Sequence, residues 1–195
     1  MYLPCTLQKA AARLGSAREP ALVTGGVLCV GEGRVGCHSY LPFPFDAEAI
    51  RTRDRTFQAA TFWTRPLWEA AGELNEEYRY VLDWEWFIRA AQHCSFIPID
   101  DYLAIYRVHS KQKTSGTSDR RTQEIISVAE QYGGPEWGAA YRDVAANLDR
   151  LNRGLARLRR WKLLRLRTWL FRDLYRRHGA RVKTALAQLT VQLLP

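Results

Sequence analysis

Thirteen of the 29 Lys and Arg residues in this 195-residue chain lie between Arg150 and Lys183, against a single acid, Asp173. No core can absorb such a run, because an unpaired ionised side chain is expensive to remove from water. The segment folds only if its cations stay solvated on one side while its apolar residues share another. Leu155, Leu158, Trp161, Leu163, Leu164, Leu166, Trp169, Leu170 and Leu174 supply that apolar band. Helix is therefore predicted almost to the end of the chain, with weak points near Gly154 and Gly179. The segment carries +12 and the whole chain +9, so everything outside it sums to −3. Charge divides the chain into a mildly acidic body and a basic tail, and each needs its own account.

The body is long enough to bury a core, and seven Trp, nine Tyr and seven Phe in the chain exclude a disordered one. Thr6 to Arg13 reads as a helix, with Leu7, Ala10, Ala11 and Leu14 on one face and Thr6 as a cap. Ala21 to Val30 is a short apolar run interrupted by two glycines and reads as a strand. Gly31-Glu32-Gly33 is a turn, and Arg34 to Tyr40 returns as the second strand of a hairpin. Alternating prolines keep Leu41 to Phe45 extended. Thr61 to Ala71 reads as a short helix stopped at Gly72. Asp83 opens another, in which Trp84, Phe87, Ile88 and Ala91 recur at helical spacing. Ser95 to Ile99 and Tyr102 to Val108 alternate like two strands. Thr117 to Tyr132 is helical and closed by Gly133-Gly134-Pro135.

Cys5, Cys29, Cys37 and Cys94 show no paired metal-ligand spacing, and reduced thiols are expected. Cys37-His38 and His93-Cys94 match no finger pattern, so ordinary core or surface roles are favoured over zinc. No leader follows Met1, and no apolar run approaches the roughly 18 residues that cross a bilayer. A cytoplasmic protein is expected, peripheral on the inner membrane if the tail reaches lipid.

Three blocks carry a family resemblance. The first is Gln58-Ala-Ala-Thr-Phe-Trp-Thr-Arg-Pro-Leu-Trp-Glu-Ala-Ala-Gly72, followed by Glu73 to Glu77. The second is Leu82-Asp-Trp-Glu-Trp-Phe-Ile-Arg89. The third is Leu103-Ala-Ile-Tyr-Arg-Val-His109, with Lys113-Thr114 behind it. In order and spacing they resemble the acceptor-side segments of family 2 glycosyltransferases of the GT-A fold, over about residues 2–132. The resemblance implies an α/β class: a partial GT-A (Rossmann-like) domain over residues 1–134, followed by a basic helical tail over 135–195. The family's nucleotide-binding βα units and acidic metal motif have no counterpart before the Thr6 helix. The chain is therefore expected to be the C-terminal portion of such a domain, and inactive without a complementing fragment.

Inverting sugar transfer needs a base for the acceptor hydroxyl and stabilisation of the departing nucleoside diphosphate. By resemblance, Asp83 is the general base. Backbone N–H groups at a helix start favour its ionised form, while Leu82 and Trp84 beside it disfavour that form by desolvation. Leu82 stands where the family often has a second acid. Glu85 is not a partner carboxylate, since residues two apart on a helix diverge; it is read as solvent-facing or structural. The resemblance places Arg107 and His109 against the donor diphosphate, with Lys113 adding charge. His109 is a supplementary ligand to a Mg or Mn ion whose main acidic ligands are absent. Gln58, Thr61 and Trp63 are assigned to the acceptor, a glycan or lipid-linked sugar. The bland readings stay open: Asp83 as a helix cap, Arg107 and His109 as a solvated strand end, Trp63 as core. At most one of Trp84 and Trp86 lines a cleft, and Arg65 and Arg89 are structural ion-pair partners.

For the tail, tryptophans among arginines suit an anionic membrane surface, through residues 150–183. Packing on the catalytic domain is the second reading. Nucleic acid is disfavoured, because the body is acidic and carries no recognised nucleic-acid motif. The rival to an enzyme is a non-catalytic remnant that binds membrane or a partner protein through its tail.

Overall fold

In a computed structural model of the chain, the described residues are 1–31, 37–42, 45–109, 118–160 and 171–189. The predicted turn at Gly31–Gly33, the middle of the proline segment, Lys113 and most of the tail's apolar band lie outside them. Two compact units divide the chain between Thr117 and Ser118. This differs from a boundary at 134, because the helix starting at Asp119 packs with the helices that follow it.

The first unit is mixed α/β around a four-stranded sheet. Its central strand is β1 (Leu22–Gly31). On one edge, β2 (Cys37–Tyr40) pairs antiparallel with Val27–Val30, and β3 (Thr61–Trp63) pairs antiparallel with Leu22–Thr24. On the other edge, β4 (Phe96–Val108) runs parallel from Leu22↔Phe96 to Gly31↔Val108. Beyond β4, Tyr2 bridges Ala104 in antiparallel sense. The hairpin expected from the sequence is thus present as β1–β2. The two strands expected at 95–99 and 102–108 are one strand with bulges, since β4 advances from Pro98 to Ala104 while β1 advances only from Thr24 to Val27.

That irregular centre requires glycine. A Cβ on Gly25 would fall 2.3 Å from Leu103 Cγ, and one on Gly26 would fall 2.8 Å from the Tyr40 carbonyl oxygen. Leu103 is itself fully buried. Gly25→Ala is expected to destabilise the sheet by about 1–3 kcal/mol through overpacking. An unchanged denaturation midpoint would show that Leu103 can move aside.

Helix α1 (Thr6–Gly15) forms where expected, but Thr6 is not its cap. The flanking residue is Cys5, with φ 62°, and the buried Thr6 hydroxyl instead donates to the Leu103 carbonyl at 2.6 Å. The inward face holds Ala10, while Leu7 is 61% exposed. The short α2 (Ala47–Thr52) is set by Asp46, whose Oδ1 accepts the Glu48 and Ala49 N–H groups at 3.0 Å each.

Thr61–Trp63 is strand rather than the start of a helix. Its β-branched and aromatic side chains suit a pleated surface, and the Thr61 and Thr24 hydroxyls meet at 3.1 Å across the pair. Helix α3 (Arg65–Ala71) then begins with Pro66 in its first turn and ends at Gly72, φ 77°. A buried cluster joins Val27, Ala60, Leu103 and Ala104, with Phe57 and Phe62 packed against it. A separate aromatic cluster joins Trp63, Trp68, Trp86, Phe87 and Phe96.

The second unit is helical: α5 (Asp119–Gly133), α6 (Pro135–Arg160), α7 (Arg172–His178) and α8 (Arg181–Leu189). Gly134, φ 96°, turns the chain between α5 and α6. Buried Ile125, Val128, Ala129, Ala140, Tyr141, Val144, Leu151, Leu174, Val182 and Ala185 form its interior. The Arg142 guanidinium bonds Glu130 and holds that carboxyl below its usual range, linking α6 to α5. Helix α6 continues through Gly154, and the expected weak point at Gly179 is real, lying between α7 and α8. Among the described residues no helix is long and apolar enough to cross a membrane.

Candidate functional site

Asp83 lies in the first turn of α4 (Leu82–Ala90), a helix packed on α2 and α3. Its carboxylate is partly buried, and Oδ1 accepts the Trp84 N–H at 2.9 Å. Flanking it, Trp84 and Trp86 are each 1% exposed. Their indole N–H groups donate to the Ile50 carbonyl at 2.7 Å and the Gly72 carbonyl at 2.8 Å. Neither indole lines a cleft: a buried Trp needs a partner for its N–H, and each has found a backbone one.

Glu85 is structural rather than solvent-facing. It is 3% exposed and takes Arg89 in a two-pronged pair, with both N···O distances at 2.9 Å. The same guanidinium donates to the Ala71 carbonyl and, at 2.7 Å, to the Glu73 carbonyl. Arg89 thereby ties α4 to the end of α3. Arg65 pairs with Glu69 on the surface of α3, also a structural role.

Arg107 is exposed near the end of β4, in register with Val30, and the partly buried His109 follows just past the strand. Lys113 lies outside the described residues. Of the three residues assigned to an acceptor, Gln58 is exposed in a single 3-10 turn (Gln58–Ala60). Thr61 is 5% exposed and its hydroxyl donates to the Phe57 carbonyl at 2.8 Å. Trp63 sits against Trp86 with ring centroids 4.7 Å apart. Thr61 and Trp63 thus serve packing, which leaves Gln58 facing solvent.

A cleft of about 40 Å³ lies beside α2, lined by Thr24, Gly25, Phe45, Asp46, Ile50 and Arg55 among others. It contains none of the residues assigned to base, donor or acceptor and holds a few waters rather than a sugar ring. Among the described residues no three His, Cys, Asp or Glu side chains gather to hold a metal. His109 offers one nitrogen where Mg or Mn prefers several oxygens, so the described residues do not make a divalent-metal site by themselves.

Cys94, just after α4, has a thiol pushed up to about 11 by burial. The thiolate is the reactive form, so Cys94 stays protonated until pH approaches that value. At about pH 8, iodoacetamide is expected to label the exposed Cys5 well before Cys94, as read by mass spectrometry. Equal labelling rates would contradict the burial.

In the helical unit, a concavity of about 360 Å³ is lined by Trp137, Arg177, His178, Arg181 and Thr184 among others. Its cations are already matched. Arg181 pairs with Glu136, and Arg177 pairs with Asp143 and Asp173. His178 Nε2 lies 2.7 Å from Asp143 Oδ2. Comparison of the chain with protein families, curated proteins and solved structures finds no match.

Proposed function

We propose that this chain is the acceptor-side portion of an inverting family 2 glycosyltransferase. It acts on a nucleotide-sugar donor and a glycan or lipid-linked acceptor, in the cytoplasm or at the inner membrane face. In the reaction, the Asp83 carboxylate takes the proton of the acceptor hydroxyl. The freed oxygen bonds to the anomeric carbon as the bond from that carbon to the diphosphate oxygen breaks. The electron pair leaves with the nucleoside diphosphate, and Arg107 offsets its charge. Gln58 is placed on the acceptor side.

The observation that supports the reading is the division of labour on α4. Glu85 is buried and committed to Arg89, whereas Asp83 keeps a partly exposed carboxylate at the helix start. A base needs that position, reachable by substrate and half desolvated.

The test is nucleoside diphosphate release from UDP-, GDP- and dTDP-sugars with membrane extract as acceptor. It is run on the chain alone and on the chain complemented with a nucleotide-binding fragment of a family 2 glycosyltransferase. Donor turnover that depends on Asp83 is expected in the complemented form. Absence of turnover from both forms, or turnover indifferent to Asp83, sinks the reading.

A further inference from the structure

We infer that the outward face of α6, from Arg150 to Arg160, is a docking surface for an anionic phospholipid bilayer. The inference stands apart from sugar transfer and rests on where the second unit spends its acids. Glu124 pairs with Arg120, Glu130 with Arg142, Glu136 with Arg181, Asp143 with Arg177, and Asp173 with Arg176 and Arg177. Glu130, Glu136 and Asp143 join different helices, whereas Glu124 and Asp173 pair within their own. No carboxylate among the described residues pairs with Arg150, Arg153, Arg157 or Arg160, and all four are exposed. Asp149, exposed beside Arg150, is the one acid at that end of the helix.

The four arginines recur at alternating spacings of three and four, so they form one stripe. Buried Tyr141, Val144 and Leu151 occupy the opposite side of the same helix, so the stripe points away from the unit's interior. It runs roughly 15 Å along the helix. A straight row of solvated guanidinium groups matches a planar array of phosphates better than a single small anion, and guanidinium gives each phosphate a two-pronged contact.

One further fact favours lipid over nucleic acid. The next ten residues in sequence carry Trp161, Trp169 and four leucines with three cations and no acid, a composition suited to the boundary between headgroups and acyl chains.

The test is flotation of the full chain with phosphatidylcholine vesicles, with and without phosphatidylglycerol. Wild type is expected to float only with the anionic vesicles and to release at high salt. The R150Q/R153Q/R157Q/R160Q variant is expected to lose roughly 1,000-fold in partition coefficient, four cations at about 1 kcal/mol each. Gln is a good helix former, so its circular dichroism should match wild type. A charge-matched control, R13Q/R18Q/R51Q/R65Q, removes four exposed arginines from the body and is expected to float like wild type. Equal flotation with neutral vesicles, wild-type flotation by the ridge variant, or loss by the control to the same extent would overturn the inference. So would displacement from anionic vesicles by equimolar duplex DNA or RNA, which would make the ridge a polynucleotide surface.

Discussion

Asp83→Asn is expected to cut sugar transfer by roughly 10²–10⁴-fold in kcat while leaving the melting temperature unchanged. Asparagine keeps an oxygen where Asp83 Oδ1 accepts the Trp84 N–H, so the start of α4 retains its side-chain acceptor. What disappears is the ability to take a proton at neutral pH. Asp83→Ala separates the two roles further. It removes the base and the acceptor together, so it should lose the same activity and also about 0.5–1.5 kcal/mol of stability, the worth of one hydrogen bond. If Asp83 were only a helix-end residue, Asn would be silent in both measurements and Ala would register in stability alone. A full-rate Asn variant in the complemented form would therefore remove Asp83 from the chemistry.

Much of the fold was legible because its signals are local. The apolar run at β1 and the helical spacing of Trp84, Phe87 and Ile88 each follow from one local pattern. The misreadings share a different cause. Thr61–Trp63 is three residues long, too short for alternation to show, and becomes a strand only because β1 offers it an edge. The interruption at Asp100–Asp101 divides two apparent strands in sequence. In space it is a bulge, absorbed where Gly25 and Gly26 give the backbone of β1 room. Helix α2 is marked mainly by one capping aspartate, and α5 joins the later helices through tertiary packing that no spacing announces.

The candidate site was less legible, for a reason visible in its polar residues. Thr61, Trp84, Trp86 and Glu85 all belong to the family-like blocks, and each could be a ligand or a packing element. A buried hydroxyl, indole or carboxylate must find a partner, and here Phe57, Ile50, Gly72 and Arg89 provide it. Sequence fixes the residue type but not which side of the fold it faces. Arg89 was readable as an ion-pair partner because Glu85 precedes it by one helical turn. Its second task, bonding the end of α3, depends on Gly72 turning the chain back.

Arg89→Ala is expected to be the most damaging single substitution in the first unit. It strands the Glu85 carboxylate, whose side chain is 4% exposed, without its cation. Breaking a buried pair from one side costs roughly 3–5 kcal/mol, because the remaining charge cannot return to water. The loss also leaves the Ala71 and Glu73 carbonyls without their guanidinium donor. For a domain of this size that is a fall of more than 10 °C in melting temperature, roughly, and a large share of a typical total stability. Since such a variant can fail to fold, the pair is better read through a rescue. Glu85→Gln in the Arg89→Met background removes the stranded charge and fills the space with uncharged groups, and should recover more than half of the loss. Arg89→Lys keeps a charge but not the planar fork, and should fall between wild type and Ala. If Arg89→Ala melted within about 1 kcal/mol of wild type, Glu85 would have to be reaching water, contrary to the packing of α4 against α3.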